Sequence, residues 1–170
     1  MNLIIMTTRY LFITSKIETV NGYTIDAFNV AMERLKQKKW ALYASTSHKD
    51  KIKENDEIYI YIGKTNAKNL KYTSSIIASA KIAEVENFTK NSFWFESDKY
   101  LVDTPVKLLT LKNIKHFDKP FGFRENFKKI SFISKIKSSS NNVYNWGAFM
   151  QGGIKVLNEK DVSLIMHLSK

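Results

Sequence analysis

The stretch QKKWALYASTSHKDKIKENDEIYIYI, Gln37 to Ile62, decides how the whole chain is read. A lysine-rich helix end runs directly into Trp40. Small and hydroxylated residues follow (Ala44, Ser45, Thr46, Ser47), then alternating charge, then EIYIYIG from Glu57 to Gly63. There Ile58, Ile60 and Ile62 alternate with Tyr59 and Tyr61, the two-residue period of a strand with both faces partly buried. The bulkiest residue type therefore stands between a helix and a strand, at the mouth of a polar loop. Core packing is one reading of Trp40, and a stacking surface for a flat ligand is the other.

Upstream, Arg9 to Ser15 (RYLFITS) is β-branched and aromatic and predicts a first strand, which Asn21-Gly22 breaks. A helix is expected from Thr24, with Thr24 as N-cap and Asp26 in the first turn. Ile25, Phe28, Met32 and Leu35 recur at helical spacing, and Lys36, Lys38 and Lys39 fall at its negative end. Downstream, Thr73 to Val85 predicts a neighbouring strand, joined by a hairpin loop carrying Lys64, Lys68 and Lys71. Phe88 to Phe95 is an aromatic knot. Leu101 to Leu111 predicts another strand, with Pro105 marking an edge or a bulge. Asp118 to Gly122 reads as a loop, Arg124 to Lys137 as a short helix plus a turn, and 138–142 as a flexible connection. The last helix starts at Asn158, with Asp161 in the capping-box position and Val162, Ile165 and Leu168 as its apolar stripe. The class is α+β: a curved, mainly antiparallel sheet or small barrel flanked by helices, one domain over 1–170.

Composition narrows the function. With 170 residues, 44% apolar content and two prolines, the chain can bury a core of its own. It has no cysteine, which excludes disulfides and thiolate metal sites. The apolar start MNLIIM is too short for a signal segment, and no other window is long enough to span a membrane, so the expectation is a soluble, cytoplasmic protein. The net charge of +11 favours nucleic acid first and an anionic membrane second. An AT-rich coding sequence, which yields Lys, Asn and Ile, is the competing explanation. The arginines are Arg9, Arg34 and Arg124, so the charge suits phosphate attraction better than guanine reading in the major groove.

Catalytic signatures are missing. His48, His116 and His167 are scattered without metal-ligand spacing. There is no nucleophile elbow and no Walker loop, and Gly152-Gly153 reads as a positive-φ turn. No cofactor and no metal is implied.

The order of these pieces carries a resemblance. YLFITS (10–15), KKWALYASTSHKDKI (38–52), ENDEIYIYI (54–62) and IIASAKIAEV (76–85) are followed by VKLLTLKNI (106–114) and FKKISFISK (127–135). NWGAFMQGG (145–153) and EKDVSLIMHL (159–168) complete the series. This succession resembles the EVE domain family of the PUA-like superfamily, and is similar to the YTH domains that share its fold. It departs in having Asn55-Asp56 where Gly-Asp is common, a position Asn fills because it tolerates the left-handed region. An insertion containing NGY, residues 21–23, is a second departure.

The resemblance implies a PUA-like curved sheet or pseudo-barrel and a pocket for a flipped base. YTH domains hold a methylated adenine of RNA in an aromatic cage, and EVE domains are linked with modified bases in DNA. By this likeness Trp40 is one wall, the backbone of Ala41 meets the base edge, and Ser15 lies near phosphate or base. Thr46 and His48 come from the polar loop. Trp94 is the candidate second wall, and Trp146 is either a further ring or barrel packing beside Phe149. Lys38, Lys39, Lys49 and Lys51 would attract phosphate, with DNA or RNA as partner. For Trp40 the alternative remains a core residue, and for Ser15 a strand-end hydroxyl. Two other functions stay open. ASCH-type relatives are amidohydrolases of modified nucleosides using a Lys, a Thr and a carboxylate, for which Thr14, Lys16 and Glu18 are candidates. The other is a protein-interaction accessory domain.

Overall fold

The alternating segment Glu57–Ile62 (β5) is central to the structure, and its alternation separates two hydrophobic clusters. A computed structural model describes residues 6–19, 21–63, 74–89, 91–92, 104–131, 150 and 153–170. Arg9–Thr14 (β1) runs parallel to β5, matching Tyr10 with Ile58 and Thr14 with Ile62. Ser75–Asn87 (β6) runs antiparallel on its other side, and the long Lys107–Gly122 (β7) follows β6. Lys39–Leu42 (β4) and Ile154–Leu157 (β8) close the two edges, giving a six-stranded order β4-β7-β6-β5-β1-β8.

The sheet curls strongly into a half-barrel with helices against it, an α+β fold as expected. The curl has a local cause. Pairing between β6 and β7 slips at Ile76/Ala78, Ser79/Lys81 and Ile82/Glu84, and each extra residue bends and twists the strands. Inside the curl lie Tyr10, Phe12, Trp40, Leu42, Ile58, Ile60, Ile62, Leu109 and Leu111, with Ala27, Ala31 and Leu35 of helix Ala27–Gln37 (α1). The opposite face packs Leu11, Tyr59, Tyr61, Phe121 and Phe123 against Ile165 of the last helix, Glu159–Leu168 (α3). Burial at about 1.5–3 kcal/mol per large side chain makes these two layers the source of stability.

Several boundaries differ from expectation. Thr24–Ile25 (β3) pairs with Ile17–Glu18 (β2) in a small hairpin, so the helix starts later, and Asp26 is its N-cap, accepting from Asn29 N. Lys38 terminates α1 in the left-handed region, and Lys39 is already in β4. Asp118 to Gly122 continues β7 instead of forming a loop, because Phe117 and Phe121 are buried and Ile76 is available to pair with Phe121. Phe123–Asn126 (α2) and a 3-10 turn Phe127–Lys129 follow. Strand β8 was not expected. Asn55 has φ +70 and Gly153 φ +79, the turn conformations anticipated for them. Asn158 and Asp161 form the anticipated reciprocal capping box.

Candidate functional site

The inner face of β1 organises the predicted site. Alternation sends Tyr10, Phe12 and Thr14 inward. The Tyr10 ring stands 6.3 Å from His48, tilted by 44°. The Phe12 ring stands 5.8 Å from Trp40, edge to face. Two residues chosen from sequence for base binding, Trp40 and His48, thus meet successive inward side chains of one strand. Burial, followed by the nearby Asp56 charge, pushes the Tyr10 phenol up from its ordinary value.

Trp40 is 4% exposed, enclosed in the curl instead of standing at an open mouth. Its strand explains this. β4 pairs Trp40 with Leu109, and the curl of β7 carries that pair over β1. Arg34 of α1 lies above the indole, its guanidinium carbon 5.2 Å from the ring centroid, and is itself buried. Sequence reading gave Arg34 no role. The signal was present: Arg34 follows Val30 and Ala31 by one helical turn, on the face that buries both.

Ala41 alternates to the other side of β4, beside Leu108. Leu111 N donates to Lys38 O at 2.8 Å, and β4 is an edge strand. Alternation of the ladder therefore turns the Ala41 backbone groups away from β7.

The polar loop after β4 is tightly built. Tyr43 N donates to Thr46 Oγ1 at 3.0 Å, Thr46 N donates back to Tyr43 O, and Ser47 Oγ donates to Ile154 O at 2.8 Å. Gly153, whose carbonyl accepts from Ile13 N, approaches so closely that a Cβ there would stand 3.3 Å from Thr46 Cγ2. Thr46 and His48 are thereby fixed beside β1 and β8. Asp56, fully buried, accepts from Thr8 N and Lys53 N and ties the far end of the loop to the start of β1.

Of the cations, Lys38 and Lys51 are exposed. Lys39 Nζ bonds Thr110 Oγ1 at 2.6 Å. Lys49 and Lys107 share Asp50, at 3.7 and 3.1 Å, and the Lys107 hydrogen bond foremost holds the Asp50 carboxyl below its ordinary value. Ser15 is exposed. Thr14, Lys16 and Glu18 do not converge: Thr14 is buried, whereas Lys16 and Glu18 face each other at 4.0 Å, both exposed. Trp94 and Trp146 lie outside the described residues, as does Phe149. Among the described residues no cluster of His, Asp or Glu could hold a metal ion, and no helix is long and apolar enough to cross a membrane.

No protein-family model matches this sequence, and no curated protein does. Solved structures do match. The human THYN1 protein in complex with 5-methylcytosine-containing DNA aligns with a TM-score of 0.55 at 14% identity, over 96% of this chain and 98% of its own. The fold is EVE-like. The N-terminal domain of Staphylothermus marinus McrB aligns at 0.52 and 10% identity, over 98% of both chains. The YTH domain-containing protein mmi1, in an RNA complex, aligns at 0.50 and 15% identity, over 94% of this chain and 81% of its own. At these identities the likeness is one of fold.

Proposed function

We propose that this EVE-like domain binds nucleic acid by drawing one flipped, modified base into the curl beside Trp40. The observation that carries the reading is the fold match to a methylcytosine-DNA complex over 96% of the chain, in a protein of net charge +11. Trp40 and Phe12 supply aromatic surface, His48 and Thr46 are held at the edge, and the Ala41 backbone is turned outward from the ladder.

The enclosed indole sets the mechanism. A base reaches the ring face by replacing the Arg34 guanidinium, one planar group for another. At the ring face itself, a cation–π contact worth about 0.5–2 kcal/mol gives way to base–aromatic stacking worth about 1–3 kcal/mol. Unstacking the base costs a few kcal/mol more, least for a base that is already unpaired. A methyl group enclosed in the curl returns about 0.8 kcal/mol, the increment that favours a modified base. Exposed Lys38 and Lys51 attract phosphate and release counterions, which makes the affinity fall with salt.

Fluorescence anisotropy with labelled DNA and RNA oligonucleotides, each with methylated or unmodified cytosine or adenine, tests the reading. Saturable binding that prefers one modified base supports it. Absence of binding to every oligonucleotide at low salt would refute it.

A further inference from the structure

Each inward side chain of β1 meets a partner except the last. Tyr10 faces His48 and Phe12 faces Trp40. Thr14 ends the row, 4% exposed, and its hydroxyl has no hydrogen-bond partner among the described residues. Its backbone is engaged, since Gly63 N donates to Thr14 O at 3.0 Å. Buried hydroxyls nearly always have a partner, because burial strips them of water. Valine has the same shape without that penalty, so an unpartnered threonine here is a costly choice for structure alone.

We propose that Thr14 Oγ1 is the specificity-determining group of the interior site, forming a hydrogen bond to the polar edge of the modified nucleobase that lies against Trp40. This rests on the base-binding reading above and assigns the recognition to a residue that reading does not use. Ser15, the hydroxyl that the resemblance singled out, is exposed, and alternation turns it to the opposite face of the strand. Successive inward positions of a strand are about 7 Å apart, so a base touching Phe12 reaches the next position, Thr14. The hydroxyl both donates and accepts, and it rotates to suit a ring nitrogen, a carbonyl or an amine. A base with no polar atom at that edge leaves the hydroxyl unsatisfied and is rejected.

The test compares wild type, Thr14→Val and Thr14→Ser by thermal unfolding and by anisotropy titration with cytosine, 5-methylcytosine, adenine and methylated-adenine oligonucleotides. The expected result is that Thr14→Val melts at or above the wild-type temperature while its preference among bases shrinks about tenfold, the factor for one hydrogen bond. Thr14→Ser, which keeps the hydroxyl, retains the preference. Wild-type binding with an unchanged preference in Thr14→Val would overturn this inference alone. A lowered melting temperature in Thr14→Val would also overturn it, by revealing a structural partner for the hydroxyl. No binding by the wild type to any oligonucleotide would overturn the base-binding reading itself, and the inference with it.

Discussion

The guanidinium of Arg34 covers one face of the Trp40 indole at 5.2 Å, and neither group is exposed. A buried cation on a ring face has two readings with opposite consequences. If Arg34 contacts phosphate, its loss weakens binding. If it occupies the place of a base, its loss strengthens binding despite the lost charge. The account here predicts strengthening. Arg34→Ala should bind a modified oligonucleotide about fivefold more tightly, the equivalent of roughly 1 kcal/mol of displaced cation–π contact. Anisotropy titration at fixed salt reads the sign directly.

Trp40 also carries stability. Its ring fills the curl between Phe12 and α1. Trp40→Ala should lose about 3–5 kcal/mol in urea unfolding, as large-to-small core changes do. Trp40→Phe keeps most of the volume and should lose less, which makes it the variant fit for binding measurements.

The turn before β5 depends on one carboxylate. Asp56 accepts from Thr8 N and Lys53 N out of contact with water. Asp56→Ala leaves the part-buried backbone donors of Thr8 and Lys53 without this acceptor and should cost about 1–3 kcal/mol in total. Asn55 precedes it at φ +70, so Asn55→Gly should be nearly neutral, whereas Asn55→Val should destabilise by about 1–3 kcal/mol through backbone strain. Chemical unfolding separates the two.

How far the sequence spoke can be judged from particular elements. EIYIYI declared itself because alternation over two apolar faces has no helical equivalent. Asn158 and Asp161 declared the last helix through capping chemistry that is local by nature. Asp118 to Gly122 misled because Asp, Pro and Gly are turn formers, whereas the buried neighbours Phe117 and Phe121 hold the segment in the long strand. Thr24 and Asp26 are both good caps, and the two-residue pairing with Ile17–Glu18, a contact set by the inserted hairpin, decided for Asp26. Residue type singled out Trp40 and His48 in the sequence, but their depth in the fold was not legible there. Whether Trp40 faces inward or outward depends on the curl of β6 and β7, which arises from register slips that no local pattern announces. The contact of Arg34 with Trp40 was invisible for the same reason, since it too depends on the curl.

Two phenols set an alkaline limit. Burial, the leading cause for each, pushes Tyr59 and Tyr61 up to about 12 from the ordinary 10.0. The folded state therefore holds protons that the unfolded state releases between those values. Their contribution to stability is complete below pH 10 and is lost as pH rises toward 12. Unfolding midpoints measured from pH 9 upward should decline across that window, and tyrosinate absorbance should appear late and together with unfolding.

Charge pairing makes a counterintuitive prediction for binding. Asp50 engages both Lys49 and Lys107. Asp50→Ala frees two ammonium groups and should raise affinity and steepen the salt dependence. Lys51→Ala should flatten that dependence by about one counterion. Plots of binding constant against salt concentration for the three proteins check both signs.

The central claim is that a base enters the curl and meets Trp40. Replacing Trp94 and Trp146 with Phe leaves Trp40 as the sole indole, and its emission can be followed while an oligonucleotide is titrated. The account predicts a saturable change in emission that tracks anisotropy for a modified-base strand and disappears for the same strand with an abasic site at that position. Binding seen by anisotropy with Trp40 emission unchanged would contradict it.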